Sequence, residues 1–201
     1  EVSYDATKYI QAAIDDVLKT LAETLLIIVI VIFLFLGFSR SVLIPLVAIP
    51  LSLIGAVFIM KVFGFSLNLL TLLSIVLSVG LVVDDAIVMV ENIERHIQDG
   101  LKPFKAAIVA ARELGGPIIA MTITLVSVYV PIGLQGGLTG TLFREFAITL
   151  AGAVTISAIV AITLSPMMAS KMLKPHSDNK APLDGIFNRF KHFYSRQLDK
   201  S

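Results

Sequence analysis

The sequence contains no cysteine, and charged residues make up only 15% of its 201 positions. Without cysteine there is no disulfide, no thiolate metal site and no cysteine nucleophile. The formal net charge is +1, and the basic residues lie at the ends of apolar runs, so nothing favours nucleic acid as a partner. A phosphate-binding loop of the G-x-x-x-x-G-K-[ST] type is also missing, which argues against ATP as the energy source.

Hydrophobic residues are abundant and make up 56% of the chain. Apolar runs of about 20 residues, the length that crosses a bilayer as a helix, recur along it. Between them lie breaks that suit turns, such as "GFSRS", "GFSLN" and "GLQGGLTG". The sequence therefore predicts an all-α membrane protein with a transmembrane domain at 18–168. Its five predicted spans are 18–38, 43–63, 67–90, 117–134 and 146–168.

Three further segments are predicted to form amphipathic helices beside the membrane. Residues 1–17 form a stub outside the membrane, and the helix at 7–23 runs from it into the first span. In the polar stretch between the third and fourth spans, Pro103 marks the start of a short interfacial helix at 103–114, which Gly115 and Gly116 end. Residues 169–201 form a loop and an amphipathic helix with a basic face.

Lysine and arginine are distributed unequally between the two sides of the predicted membrane domain. One side carries Arg40, Arg95, Lys102, Lys105, Arg112, Lys171, Lys174, Lys180, Arg189, Lys191, Arg196 and Lys200, and the other carries Lys8, Lys19, Lys61 and Arg144. The richer side is predicted to be cytoplasmic, which places the amino terminus outside and the carboxyl terminus inside. Because the outer stub has no export signal of its own, we expect the chain to be part of a larger protein with a span before Glu1.

Asp84 and Asp85 lie side by side within the third span, in "VGLVVDDAIVMVEN". Each charged carboxylate costs about 2.5–3.5 kcal/mol at the centre of a membrane helix, even on lenient insertion scales. They lie about 7–9 Å past the predicted midplane, too deep to reach water easily. Neighbouring helix positions differ by about 100°, so we expect the two carboxylates to fan into an arc that faces the bundle interior, because both cannot face lipid cheaply. Such a pair titrates as one coupled unit, and we predict that it carries protons.

A candidate polar track accompanies this pair along the same helix. Thr71, Ser74, Ser78 and Asn92 are spaced so that they share a stripe with Asp85. The stripe could be a wet path to the carboxylates. For the hydroxyl residues alone, the simpler interpretation is favoured, in which each bonds a carbonyl of its own helix one turn back.

No basic residue is predicted at the depth of the two aspartates. Lys61, Arg112 and Arg144 all fall at span ends or beyond, so the balancing cation is expected from another part of the larger protein. Glu91 and Arg95 are four residues apart, and an ordinary ion pair on the helix surface is the expected explanation.

Enzymatic and metal-transport functions are disfavoured. An intramembrane aspartyl protease needs carboxylates converging from two helices, whereas here both lie on one. Scattered methionines at 121, 167, 168 and 172 are more typical of core packing than of a metal path. Ala153, Ser157, Ala161 and Ser165, spaced by four, suggest close helix packing. We predict no enzyme activity, no cofactor and no metal site, with protons as the coupling ion.

The segment "GLVVDDAIVMVENIERHI" closely resembles the fourth transmembrane helix of the resistance-nodulation-division transporters, in their drug-exporting hydrophobe/amphiphile branch. The resemblance covers nearly the whole chain. "TLAETLLIIVIVIFLFLGFSRSVLIPLVAIPLSLIGA" is similar to the second and third helices, "FGFSLNLLTL" to the approach to the fourth, "VPIGLQGGLTGTLFREFAITL" to the link between the fifth and sixth, and "SPMMASKMLKP" to the end of the sixth. Heavy-metal exporters of the family resemble V-D-A-A at the aspartate pair and keep one acid only.

The resemblance implies a function and a set of partners. Asp84 and Asp85 would relay protons from the periplasm to the cytoplasm, paired with a lysine-bearing helix of the second repeat, as part of a drug/proton antiporter that exports hydrophobic and amphiphilic compounds. The parent would be a homotrimer with twelve helices per protomer in the Gram-negative inner membrane, working with a periplasmic adaptor and an outer-membrane channel. Two alternatives stay open: a membrane fragment that transports nothing, and a related exporter of lipid or metal.

Overall fold

A computed structural model describes residues 6–36 and 40–173, which are almost entirely helical. The long helices are α1 (Ala6–Leu36), α2 (Leu43–Val62), α3 (Leu69–Gln98), α4 (Pro103–Gly133) and α5 (Gly137–Met172), and a short 3-10 helix, Arg40–Val42, precedes α2. The described part of the chain contains no β-strand. The predicted all-α fold class is therefore confirmed.

Four helical segments within the described ranges are long and apolar enough to cross a membrane. They are Arg40–Val62, Leu69–Gln98, Pro103–Gly133 and Phe143–Met172. Each overlaps one of the last four predicted spans, so the chain is a multi-pass membrane protein. The first predicted span, 18–38, overlaps α1, and its last two residues lie outside the described ones. For the loop and amphipathic helix predicted at 169–201, all residues after Leu173 lie outside the described ones. The role of α1 as a span stays a prediction.

Short turns with clear local causes separate the helices. Gly64 and Gly100 adopt positive φ angles of 68° and 95°, which glycine tolerates because it has no Cβ. The next helix, α3, begins with a capping box in which the Thr71 amide donates to Asn68 Oδ1 at 3.0 Å and the Asn68 amide donates to Thr71 Oγ1 at 2.9 Å. Pro103 occupies the first turn of α4, where its missing N–H leaves no helical bond unmade. These signals set the helix ends that frame the aspartate pair.

The structure corrects one predicted helix end. α4 continues through Gly115 and Gly116 as far as Gly133, although these residues were expected to stop a short helix at 103–114. Pro117 also lies inside α4. Two glycines disfavour a helix by only about 1 kcal/mol each, and an apolar segment in lipid must satisfy its backbone groups within the helix. The helix therefore passes through the expected break.

A Gly115→Ala substitution is expected to stabilise the protein. A Cβ at this position would meet no atom within 4 Å, so the alanine gains helix propensity without a clash. The free energy of unfolding should rise by about 0.5–1 kcal/mol. Thermal melting of the purified full-length protein in detergent measures this change. A lower melting temperature would instead show that α4 depends on glycine at this position.

Helix α5 lies at the centre of the packing. It packs against α2, α3 and α4, whereas α1 packs on α3. The largest buried side chains include Val79, Met89 and Ile93 of α3 and Leu150 of α5. Large apolar side chains such as Phe58 are exposed on the outer faces, as expected of helices that meet lipid. The contact between α3, which carries the aspartate pair, and α5 thus forms the interior of the bundle.

Two glycines allow α2 and α5 to approach closely. A Cβ on Gly55 of α2 would lie 2.7 Å from both Cδ1 and Cγ2 of Ile156 on α5. A Cβ on Gly152 of α5 would lie 2.7 Å from Cδ1 and 3.0 Å from Cγ2 of Ile59 on α2. Each helix therefore presents one glycine to an isoleucine of the other, which brings the two backbones together.

Candidate functional site

Asp85 is buried at the interface between α3 and α5. Its side chain is 5% exposed, and Ser157 Oγ of α5 donates a hydrogen bond to Asp85 Oδ2 at 3.0 Å. Ser157 is itself 2% exposed and lies on the row of small residues noted in the sequence, where a larger residue would hold the helices further apart. The structure therefore supplies one buried carboxylate with a specific partner from another helix.

The Ser157 hydroxyl can serve Asp85 in either charge state. Besides the carboxylate, Ser157 Oγ lies 3.2 Å from the backbone carbonyl oxygen of Val82. When Asp85 is ionised, the hydroxyl donates to the carboxylate. When Asp85 is protonated, Ser157 can donate to the Val82 carbonyl and accept from the carboxyl group, because a hydroxyl both donates and accepts. After proton uptake at Asp85, its carboxyl group, the Ser157 hydroxyl and the Val82 carbonyl can therefore all keep a hydrogen-bond partner.

Asp84 has a different environment from its neighbour. It is exposed on the surface of the bundle formed by the described residues, although both aspartates were expected to face the interior. Adjacent helix positions differ by about 100°, so only Asp85 of the two faces α5. That Asp84 faces the interior of the larger protein stays a prediction. Among residues 6–36 and 40–173, no lysine, arginine or histidine forms an ion pair with either aspartate.

The hydroxyls of the candidate polar track lie on the buried face of α3. Thr71, Ser74 and Ser78 are all fully buried. However, Ser74 Oγ donates to the Thr71 carbonyl and Ser78 Oγ to the Ile75 carbonyl, each at 2.7 Å, while Thr71 takes part in the helix cap. Ser74 and Ser78 therefore bond to carbonyls of their own helix, as the simpler interpretation expects. A hydrated path along the track stays a prediction.

Asn92 lies apart from the other track residues, at the far end of α3. There Glu113 of α4 accepts hydrogen bonds from Asn92 and His96, with His96 Nε2 at 2.9 Å, and Arg95 Nη2 lies 3.7 Å away. Arg95 thus pairs with Glu113 rather than with Glu91, contrary to expectation.

A second polar contact joins α3 and α5 at the other end of α3. Asn68 Nδ2 donates to Glu145 Oε2, and Ser66 Oγ donates to the same oxygen at 3.4 Å. Neither this contact nor the role of Ser157 was foreseen, because both join residues more than 70 positions apart. The only sequence signal was the row of small residues on α5, which indicated packing but not its partner.

Comparison with known proteins places these features in a family context. The family model described as the AcrB/AcrD/AcrF family matches residues 1–201. An uncharacterized transporter of Haemophilus influenzae is 55% identical over 177 residues, which are 88% of this chain and 17% of that protein. Multidrug resistance protein MdtC is 43% identical over 189 residues in Enterobacter sp. strain 638 and 46% identical over 182 residues in Salmonella newport. These matches cover 94% and 90% of this chain, and the chain spans 18% of each MdtC protein.

Proposed function

Because this chain belongs to the AcrB/AcrD/AcrF family, we propose that it is the proton-coupling segment of a multidrug efflux transporter in the inner membrane of a Gram-negative bacterium. The observation that carries the proposal is Asp85, a carboxylate that is 5% exposed inside a helix long and apolar enough to span a membrane. Relatives named as multidrug resistance proteins support drugs as the substrates. The proposal takes these drugs to be hydrophobic and amphiphilic compounds.

Proton movement can supply the energy for export at this site. One elementary charge crossing the membrane gains about 2.3 kcal/mol per 100 mV of potential. Protonating Asp85 removes a charge from the α3–α5 interface and reverses the direction of its hydrogen bond with Ser157. Charge changes of this kind bias the packing of helices that have two arrangements. In the proposed mechanism, loading and release of a proton at Asp85 shift α3 relative to α5.

Asp84 faces outward from the described helices and is proposed to meet the rest of the transporter. The chain spans only 17–18% of the length of these relatives, so most of the proposed transporter lies outside the chain. A lysine-bearing helix of the second repeat, placed over Asp84, would balance its charge in the membrane. The same proposal includes a homotrimer, a periplasmic adaptor and an outer-membrane channel, with the amino end of this segment in the periplasm and its carboxyl end in the cytoplasm.

Transport by the full-length protein in liposomes tests the proposed function. An imposed pH gradient should drive the movement of an amphiphilic dye, and protons should move in the opposite direction at the same time. A protonophore should abolish dye movement, and ATP should have no effect. Dye transport that persists without a proton gradient, or that requires ATP, would contradict proton coupling. Transport of lipid or metal ions with no transport of dye would instead favour the alternative substrate classes.

A further inference from the structure

The charged side chains of α4 are confined to its first part. They are Lys105, Arg112 and Glu113, and residues 114–133 contain no charge. This uncharged run has 20 residues and is about 30 Å long, which is the usual thickness of the hydrocarbon core of a bilayer. Because the chain is a multi-pass membrane protein, the run places Arg112 at the level of the lipid headgroups.

The single acidic residue of α4 is already engaged by α3. Glu113 Oε2 lies 2.9 Å from His96 Nε2 and 3.7 Å from Arg95 Nη2. Lys105 and Arg112 are both exposed, and neither forms an ion pair with any acid among residues 6–36 and 40–173. The start of α4 therefore presents two cations whose charge the described residues leave unbalanced.

Lys105 and Arg112 share one exposed face of α4 with apolar residues of the membrane run. The two cations are seven residues apart, so they differ by about 20° around the helix and by about 10 Å along it. Four and seven positions after residue 112, the same face continues with the exposed residues Gly116 and Ile119, and Ile119 is 51% exposed. One continuous face thus changes from basic to apolar at the edge of the uncharged run.

Two exposed apolar side chains accompany the cations. Phe104 is 65% exposed and Ile108 is 40% exposed, and both lie within about 100° of Lys105 around the helix. Unpaired cations beside exposed apolar side chains are typical of helix segments that lie at the boundary between headgroups and acyl chains. A free phosphate ion would satisfy the cations but leave Phe104 and Ile108 in water, so the mixed face favours a whole lipid.

We propose that Arg112 and Lys105 bind the phosphate groups of anionic phospholipids, while Phe104 and Ile108 contact the upper part of the acyl chains. The planar guanidinium of Arg112 can donate two parallel hydrogen bonds to a phosphate, and the Lys105 ammonium adds a second cation further out. A zwitterionic lipid is a poorer ligand because its headgroup carries its own cation. This inference concerns lipid binding and does not depend on proton coupling or on the substrate.

Photocrosslinking of the full-length protein in phosphatidylcholine vesicles tests this lipid site. Two photoreactive lipid probes with identical acyl chains, a phosphatidylglycerol and a phosphatidylethanolamine, are added separately at the same low mole fraction, and labelled peptides are mapped by mass spectrometry. The phosphatidylglycerol probe should label residues 103–116 at least fivefold more strongly. Lys105→Gln and Arg112→Gln should each reduce this labelling by about fivefold, the usual effect of one basic residue near an anionic surface. Arg112→Lys should retain most of it.

Lys61→Gln is the matched control. Lys61 is exposed at the end of α2, forms no ion pair within the described ranges and lies on the predicted opposite side of the membrane. This variant should leave the labelling of residues 103–116 unchanged, and all variants should melt like the wild type. Equal labelling by both probes, or no effect of Lys105→Gln and Arg112→Gln, would overturn the proposal. It is also wrong if neither probe labels this segment, because another part of the transporter then covers it, or if soluble glycerol phosphate competes as well as the lipid.

Discussion

Replacing Asp85 with asparagine in the full-length transporter is expected to reduce proton-driven dye efflux to the background of membranes without the protein. Asparagine has nearly the same shape and can still hydrogen bond with Ser157, but it cannot take up or release a proton. Because asparagine can keep the hydrogen bond with the buried Ser157, we expect normal insertion and folding. Loss of efflux at a matched membrane level, measured in cells with a fluorescent dye, would assign coupling to this carboxylate.

Asp84→Asn is expected to abolish efflux as well, for a different reason. Asp84 is exposed on the described bundle, so its substitution removes the charge proposed to meet a cation elsewhere in the transporter. Asp99→Asn is a suitable control, since Asp99 is exposed at the carboxyl end of α3, outside the apolar run. If Asp84→Asn and Asp85→Asn both pump like Asp99→Asn, the aspartate pair is structural and the proton path lies on other helices.

The second large effect is expected at the α2–α5 crossing. Gly55→Ala should lower the free energy of unfolding by about 1–3 kcal/mol, the usual effect of overpacking a close contact. The new methyl would lie 2.7 Å from two atoms of Ile156. One of them, Cγ2, is attached to the branched Cβ and cannot move without rotation of the whole side chain. Thermal melting of the purified full-length protein measures the loss. Gly152→Ala should act in the same way against Ile59.

A compensating substitution makes this prediction specific. Adding Ile156→Ala to Gly55→Ala removes both clashing atoms and leaves the Ile156 Cβ at 3.4 Å, an ordinary contact. The pair should therefore be more stable than the sum of the two single effects, as a double-mutant cycle would measure. Gly80→Ala is the control, because a Cβ there meets no atom within 4 Å. Additive effects of Gly55→Ala and Ile156→Ala would contradict the close approach.

The fold class and most helix positions could be predicted because they depend on local signals. Apolar runs, Asn68 and Pro103 indicate where helices lie and begin. The continuity of α4 could not be predicted in the same way. Gly115 and Gly116 have the local pattern of a helix stop, but the requirement to satisfy backbone groups in lipid outweighs their weak helix propensity.

The candidate site was predicted only in part, because its partners are distant in sequence. The two aspartates stand out against an apolar background, and their positions suffice to propose a relay. That Asp85 is the one that faces α5 follows from its contact with Ser157, which is 72 residues away, and no periodicity within α3 reveals this contact. Likewise, the spacing of Glu91 and Arg95 suggested a local pair, whereas the fold brings Glu113 of α4 within 3.7 Å of Arg95.

The tight connection between α3 and α4 has a consequence for how movement travels through the membrane domain. Only residues 99–102 separate the two helices, and the His96–Glu113 hydrogen bond ties them together beside this turn. We therefore expect α3 and α4 to behave as a hairpin that moves as one body. Since α4 contains 31 residues, about 46 Å of helix, a tilt that begins at Asp85 would be carried to the opposite membrane surface. In the proposed mechanism, protonation of Asp85 would thus shift helix ends on both faces of the bilayer.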